Sequence, residues 1–181
     1  MTHPRTRTVL GLCGSLRAAS INRAVLRAAA SVAPPGVRVE LYPSLAGLPL
    51  FNPDLDGAAL LPVAQLRERI VAADAVLIAS PEYAHGVSGV IKNALDWLVA
   101  DDTWVNKPVA VLNAAPRSQY AHAALCETLR TMSATLIESA CIALPILGSG
   151  LDAAGIAAHA QHAASLRGAL LALVATRPAA S

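Results

Sequence analysis

Strand-like segments alternate with helix-like segments along most of the chain. The strand-like segments are short, β-prone and mostly apolar, and a turn or a polar loop follows each of them. The helix-like segments repeat their apolar residues every three or four positions. Strands are predicted at 8–13, 37–41, 74–80 and 107–114, with a fifth within 135–144.

The helical repeats predict five helices. The first begins at Ile21 and ends before the Pro-Pro-Gly turn at 34–36, and the second has Pro62 in its first turn. The third carries apolar residues from Val87 to Leu98 on one face. The last two are predicted at about 120–132 and at 155–175.

This alternation predicts one α/β domain, in which a doubly wound parallel sheet has helices on both faces. Ligands of such sheets bind beyond the carboxyl ends of the strands. The loops after strands one, three and four, at 14–20, 81–86 and 115–118, are therefore expected to meet at one edge. The long loop 43–57 is expected to be functional or a partner surface.

Composition and charge exclude several function classes. The 181 residues are 55% hydrophobic and carry a net charge of +2, too little to indicate a nucleic-acid or anionic-membrane partner. Cys13, Cys126 and Cys141 form no Cys-x-x-Cys pair, which favours a reduced, cytoplasmic compartment. The polar N-terminus is not expected to be a signal peptide, and the apolar run 168–175 is far shorter than the ~20 residues of a membrane span.

The segment 8–22 carries the clearest candidate chemistry. A buried strand passes through a sharp break at Gly14 into a helix N-terminus, whose free N–H groups and dipole favour anions. Two hydroxyls, one guanidinium and one amide lie near this break, a donor set suited to a phosphate monoester. These donors are Ser15, Ser20, Arg17 and Asn22.

The same residues do not match other phosphate-binding or catalytic motifs. A dinucleotide fingerprint needs three spaced glycines, whereas only Gly11 and Gly14 are present, and a Walker loop needs a lysine that is missing. A serine nucleophile at Ser15 lacks the G-x-S-x-G turn. The loop alone leaves open that Ser20 is an ordinary N-cap and that Arg17 is a solvated surface charge.

Three segments are distinctive enough for comparison with known sequences: GSLRAASIN at 14–22, LPLFNPD at 48–54 and PEYAHGVSGVIKNALDW at 81–97. They resemble the NADPH-dependent FMN reductase family of flavodoxin-like proteins. The first is similar to that family's G-S-x-R-x-x-S-x-N phosphate loop, and the third to its P-E-Y-N-x-x-x-P-G-x-L-K-N-A-I-D-W stretch. The resemblance extends over most of the chain, in order and at the expected spacing.

The resemblance implies a flavodoxin-like three-layer αβα fold whose five-stranded sheet has the order 2-1-3-4-5. It implies bound FMN that takes hydride from NADPH or NADH and reduces a small acceptor: a quinone, an azo dye, free flavin or a metal ion. The cofactor carries this chemistry, so no catalytic side chain and no metal ligand is expected. Ser15, Arg17, Ser20 and Asn22 are implied to hold the FMN phosphate. The flavin ring is implied to lie near Pro81, Glu82, Tyr83, Ala84, His85, Gly86, Pro116 and Arg117.

Three positions depart from the family pattern. Ala84 stands where Asn is usual and so removes an amide near the flavin, although backbone contacts tolerate such a change. Ser88 stands where Pro is usual, so helix three is expected to start less rigidly. Arg117 has three open roles, which are contact with the flavin, contact with a nicotinamide phosphate, or exposure to solvent.

Other residues have both a functional and a structural interpretation. Glu82 is either the partner of an arginine in a neighbouring subunit, which is preferred, or a local cap. Tyr83 either packs along the ring, bonds across a subunit interface or is a half-buried anchor, and His85 is a candidate donor near the reactive edge. The others are expected to be structural: Lys92, Asn93 and Asp96 as the polar face and caps of helix three, Trp97 and Trp104 in packing, His122 on the surface, and His159 and His162 without a metal.

A flavin-dependent oxidoreductase is therefore the leading hypothesis. The alternatives are a one-electron carrier of the flavodoxin type and an FMN-binding subunit without turnover. Such carriers are usually strongly acidic so that they dock basic partners, and this chain is slightly basic. The apolar segment 48–51 and the end of helix three predict self-association as a homodimer or homotetramer.

Overall fold

The structure, a computed structural model, describes residues 5–117 and 119–175. Within these residues, five parallel strands form one sheet in the order β2-β1-β3-β6-β7, which confirms the predicted topology. A short antiparallel hairpin, β4-β5, lies apart from it. The strands are β1 (Arg7–Cys13), β2 (Val37–Leu41), β3 (Ala75–Ala79), β4 (Glu82–Tyr83), β5 (Gly86–Val87), β6 (Pro108–Leu112) and β7 (Thr135–Leu136). The helices are α1 (Ile21–Ser31), α2 (Leu61–Ala72), α3 (Gly89–Asp96), α4 (Gln119–Thr131), α5 (Ala153–Ala158) and α6 (Ala160–Ala175).

The central strands separate two apolar cores. Successive side chains of a strand point to opposite faces of the sheet, so one strand serves both cores. In β1, Val9 and Cys13 pack with residues of α1 and α6, whereas Leu10 and Leu12 pack with residues of α2, α3 and α4. Every residue of β3 is buried. Burial on both faces explains why these strands are apolar almost throughout.

The predicted helix starts have identifiable causes. The Ser20 hydroxyl accepts a hydrogen bond from the Arg23 N–H at 3.3 Å and so caps α1. Pro62 lies in the first turn of α2, as predicted, where its missing N–H leaves no hydrogen bond unmade. The buried faces of both helices then follow from their apolar repeats.

The predicted closing helix, 155–175, is wrong as a single element. It is two helices, α5 and α6, because the backbone at His159 is extended, with φ −74° and ψ 112°. The ring Nδ1 of His159 accepts a hydrogen bond from the His162 N–H at 3.4 Å, in the manner of an N-cap. Within the described part of the chain, no helix is both long and apolar enough to cross a bilayer.

Two other predicted boundaries need correction. Helix three begins at Gly89 rather than near Val87, because Val87 pairs with Glu82 in the β4-β5 hairpin. The fifth strand has only two ladder residues, although an isolated bridge between Asn113 and Ala143 continues the pairing. The sheet therefore ends in a short, irregular edge beside the candidate site.

The long loop 43–57 is fixed to α3 through its backbone. Asn93 donates its amide N–H to the Pro49 carbonyl at 2.9 Å and accepts from the Phe51 N–H at 2.8 Å. The indole N–H of Trp97 reaches the same Pro49 carbonyl at 2.8 Å. Trp97 is buried, which confirms its packing role, and Asn93 anchors the loop rather than capping its own helix.

Candidate active site

A cleft of about 270 Å³ opens at the carboxyl ends of β1, β3 and β6. Residues within 15–22, 80–83 and 114–115 line it, so the expected convergence of the loops after β1, β3 and β6 is confirmed. We call these three loops the first, second and third turns. Arg17 and Tyr83, from the first and second turns, face the same space. This is the edge of a parallel sheet at which ligands bind in α/β proteins.

The first turn presents buried hydrogen-bonding groups to the cleft. Ser15, Ser20 and Asn22 are each more than nine-tenths buried and line the cleft together. The Ser15 hydroxyl accepts from the Arg17 N–H at 3.4 Å. In the described part of the chain, the side-chain amide of Asn22 makes no hydrogen bond to protein and no carboxylate pairs with Arg17. These groups are therefore available to an anion at the N-terminus of α1.

The first and second turns are packed together at Gly14. A Cβ atom at Gly14 would lie 2.3 Å from the Ser80 Oγ, which leaves no room for a side chain. The Ser88 hydroxyl donates to the Gly14 carbonyl at 2.7 Å and accepts from the Ser80 hydroxyl at 3.2 Å. It also accepts from the Ile91 N–H at 3.4 Å and so caps α3. Hydrogen bonds of Ser88 thus hold this helix start where the family usually has proline, and the lower rigidity expected relative to proline stays a prediction.

The second turn is a hairpin rather than a simple loop. Its two central residues, Ala84 and His85, have left-handed backbones with φ of 49° and 58°. The His85 ring stacks on Tyr120 with centroids 4.2 Å apart. Of the predicted second-turn residues, Pro81, Glu82 and Tyr83 line the cleft. Ala84, His85 and Gly86 lie beyond its lining.

Glu82 joins the second turn to α4. Its Oε2 accepts a hydrogen bond from the Ala121 N–H at 2.8 Å, in the first turn of that helix. A carboxylate at this place is favoured by the helix dipole. Of the two interpretations of Glu82, the structure shows the local cap.

The third turn contributes less of its side-chain chemistry than predicted. Ala114 and Ala115 line the cleft, whereas Pro116 and Arg117 are exposed and lie beyond its lining. Ser118, the last residue of the predicted turn, falls outside the described residues. The structure therefore brings together only part of the predicted flavin-ring set.

A fourth segment also lines the cleft, and the sequence analysis does not predict it. Leu147 is 68% exposed, and its N–H donates to the Ala114 carbonyl at 3.1 Å, which holds it beside the third turn. The Gly-Ser-Gly run at 148–150 follows it, with positive φ at Gly148 and Gly150. This glycine-rich run is a sequence signal for a turn after the fifth strand, although it does not by itself indicate that the turn lines a site.

Residues 7–147 match the family model described as NADPH-dependent FMN reductase. The chain belongs to this family. Its similarity to an NAD(P)H-dependent FMN reductase of Pseudomonas aeruginosa is 44% identity over 110 residues, 59% of each chain. A quinone reductase of Escherichia coli is 40% identical over 107 residues, 57% of each chain. The matches thus span less than two thirds of the length of these curated relatives.

Two solved structures illustrate the shared fold. FerB, a flavoenzyme NAD(P)H:(acceptor) oxidoreductase from Paracoccus denitrificans, superposes with a TM-score of 0.77 and 28% identity, covering 93% of this chain and 96% of FerB. The azoreductase AzrA superposes with a TM-score of 0.58 and 17% identity, covering 93% of this chain and all of that one. The flavodoxin-like architecture is therefore established on both topology and comparison.

Proposed function

We propose that this protein is an FMN-dependent NAD(P)H oxidoreductase that reduces quinones or other small acceptors. Membership of the reductase family supports the proposal. The observation that carries it is the cleft in which the buried donors of the first turn face Pro81, Glu82 and Tyr83. The sheet edge thus places an anion site and the residues of the second turn within one opening.

The first turn would hold the phosphate of FMN. Ser15, Ser20 and Asn22 are buried polar groups, and burying such groups is costly unless they find partners. Arg17 supplies a permanent positive charge, and the N-terminus of α1 adds free N–H groups. This donor set fits a dianionic phosphate, and a neutral riboflavin would leave much of it unpaired.

The second and third turns would hold the flavin ring. These turns offer backbone groups and mostly small or flat side chains along the cleft, at Pro81, Glu82, Tyr83, Ala114 and Ala115. Bound FMN would supply the redox chemistry, accepting hydride from a nicotinamide and passing electrons to the acceptor. The protein positions the two reactants in turn, so no acidic or basic side chain is required.

The exposed residues around the cleft would contact the second substrate. His85, Pro116 and Arg117 lie near the lining without being part of it, and Ala84 and Gly86 shape the hairpin that carries His85. A nicotinamide nucleotide or an acceptor must approach from this open side. We assign these residues to its recognition rather than to retention of FMN.

The test is spectroscopic and kinetic. Purified protein is expected to be yellow and to oxidise NADPH or NADH when a quinone is added. Arg17→Ala is expected to weaken FMN binding about 10- to 100-fold, the effect of losing one strong charge-assisted contact. Arg38→Ala is the matched control, because Arg38 is 65% exposed, pairs with Glu40 on β2 and is not among the residues that line the cleft.

Each negative result of these tests has a separate meaning. Colourless protein that binds no added FMN would end the proposal. Bound FMN without oxidation of either nicotinamide would support a carrier or a subunit without turnover. Equal FMN affinity in the Arg17 and Arg38 variants would remove the assigned phosphate site while leaving the activity untouched.

The protein is further proposed to be a cytoplasmic homodimer or homotetramer. Leu50 is 84% exposed, and the half-exposed Phe51 packs edge-on against Trp97 at the end of α3. Leu48, by contrast, is buried, so the predicted apolar surface is smaller than the segment 48–51. Sedimentation at micromolar concentration tests this assembly, and Leu50→Glu is expected to shift it towards monomer.

A further inference from the structure

A second cavity, of about 440 Å³, adjoins the candidate active site. It lies between α1 and the loop that leads into α5, and residues within 18–27 and 146–153 line it. It shares Ala19, Ser20, Ile21 and Leu147 with the main cleft, so the two spaces meet beside the first turn. We call this space the α1 cavity. Its volume falls within the range of about 300–1,000 Å³ that is usual for small-molecule sites.

Two arginines of α1 line the α1 cavity. Arg23 and Arg27 are four residues apart, so their side chains lie on the same face of the helix, one turn apart. Arg23 is half-buried and donates to the Pro43 carbonyl at 3.2 Å, whereas Arg27 is exposed. No acidic residue occurs in the first turn or in α1. This wall of the cavity is therefore positively charged.

The arginines around α1 differ from most others in the structure in having no carboxylate partner. Ion pairs with Asp or Glu involve Arg5, Arg7, Arg38, Arg67, Arg69 and Arg130. Among the residues that the structure describes, no carboxylate pairs with Arg17, Arg23 or Arg27. Arg117 and Arg167 also lack such a pair, but they line neither cavity. Guanidinium groups gathered at an opening without a carboxylate are available to an anionic ligand.

The second wall of the α1 cavity has different chemistry. Asp152 is exposed on it, and its Oδ1 accepts a hydrogen bond from the Gly155 N–H at 2.8 Å. Gly148 and Gly150, with φ of 83° and 73°, form the turn before it, where a backbone without Cβ atoms lets a ligand approach closely. A ligand that fits must carry negative charge towards α1 and a hydrogen-bond donor towards Asp152. A nucleoside phosphate carries both.

The main cleft is too small for every group that the proposed reaction needs. Its volume of about 270 Å³ would be taken up by FMN. A nicotinamide dinucleotide that reaches the flavin must therefore place its adenosine half in a neighbouring space. The α1 cavity is larger than the cleft and joins it at Ser20 and Leu147.

We propose that the α1 cavity binds the adenosine 2′-phosphate of NADPH between Arg23 and Arg27, and that this contact makes the protein prefer NADPH to NADH. The inference rests on the proposed reductase function. A phosphate monoester carries nearly two negative charges at pH 7, which two guanidinium groups match. NADH has a hydroxyl in place of this phosphate and would leave both arginines without an anionic partner. The Asp152 carboxylate accepts a hydrogen bond from the same adenosine and so orients it.

The experiment compares two adenosine probes, 2′,5′-ADP and 5′-AMP, which differ only in the 2′-phosphate. Each is titrated into the purified full chain by isothermal titration calorimetry, without turnover, and the FMN content is read separately from visible absorbance. The unmodified protein is expected to bind 2′,5′-ADP about 10- to 100-fold more tightly than 5′-AMP, the effect of charge-assisted hydrogen bonds to one phosphate.

Variants assign this preference to the two arginines. Arg27→Ala is expected to reduce the ratio of the two affinities about 5- to 10-fold, and replacing Arg23 as well should bring it close to one. Arg27→Lys keeps the charge and should retain part of the ratio. Arg167→Ala is the matched control, because Arg167 is also exposed on a helix but lines neither cavity.

Several results would overturn the proposal. One is equal affinity of the unmodified protein for the two probes, and another is an equal ratio in the Arg27→Ala and Arg167→Ala variants. A third is an equal loss of affinity for both probes in Arg27→Ala, which would assign Arg27 to the 5′-phosphate that NADH also carries. A failure of the reductase proposal looks different, because it would appear as absence of bound FMN or of nicotinamide oxidation. In active protein, Arg27→Ala is expected to raise the KM for NADPH rather than to lower kcat, since the adenosine lies away from the reacting atoms.

Discussion

Replacing Ala84 by glycine is expected to stabilise this protein, although alanine-to-glycine changes usually destabilise proteins. Ala84 and His85 are the two central residues of the β4-β5 hairpin, and both have positive φ. A two-residue hairpin of this kind favours Asn-Gly because those residues adopt the left-handed region readily. Ala84 therefore sits in a conformation that its Cβ opposes, at a position where the resembled family usually has Asn.

The size of the effect follows from two opposing terms. The left-handed conformation costs an L-residue about 1–2 kcal/mol, because Cβ crowds the following carbonyl oxygen. Glycine escapes this crowding but loses about 0.5–1 kcal/mol more conformational freedom on folding. The free energy of unfolding should therefore rise by about 0.5–1 kcal/mol in Ala84→Gly. With a urea slope of about 2 kcal/mol per molar, the unfolding midpoint should rise by roughly 0.3–0.5 M.

Urea unfolding followed by circular dichroism measures this directly. Ala123→Gly is the matched control, because Ala123 is exposed in the right-handed backbone of α4 and the change removes the same methyl group. That variant should lose about 1 kcal/mol. The two substitutions thus have opposite expected signs. A fall in the midpoint of Ala84→Gly comparable to that of Ala123→Gly would refute the argument from backbone strain.

Two further substitutions test the turns and the sheet. Ser88→Ala removes the hydroxyl that caps α3 and bonds the first turn. The free energy of unfolding should therefore fall by about 1–3 kcal/mol, and FMN affinity should fall with it. Urea unfolding measures the first effect and fluorescence titration the second, with Ser88→Thr as the control that retains the hydroxyl. Burial alone would raise the pKa of Asp74, but hydrogen bonds from the Thr8 N–H and Arg7, together with nearby positive charge, lower it. Its stabilisation is therefore complete above the unfolded pKa of about 3.9 and is lost as the pH falls through the lower folded pKa, so Asp74→Asn should flatten this acid limb in urea titrations.

The parts of the fold that sequence predicted well are those set by local chemistry and burial. The apolar run of β3 follows from coverage on both faces, and the start of α1 follows from the Ser20 cap. The convergence of Arg17 and Tyr83 follows from the rule that parallel strands share a carboxyl edge. Each of these inferences needs only the local sequence and a general rule, and none requires a tertiary contact to be known in advance.

The parts that could not be predicted depend on tertiary contacts. The hairpin sequence Ala84-His85 lacks the usual turn residues, so nothing local indicates positive φ. The break at His159 lies in an alanine-rich stretch of uniformly high helix propensity. Leu147 lies at the cleft, where its N–H pairs with the carbonyl of Ala114, and the half-buried His122 lies beside Cys126; both contacts join residues that are distant in sequence or on different helical turns.

Because Gly14 has no Cβ atom, the residues allowed at positions 14, 80 and 88 depend on one another in evolution. Any larger residue there would collide with the Ser80 hydroxyl and push Ser88 off the backbone carbonyl that it bonds. A larger residue at position 14 therefore demands compensating changes at positions 80 and 88. Among homologous chains glycine should be kept at position 14, and a proline at position 88 should be accompanied by a different side chain at position 80.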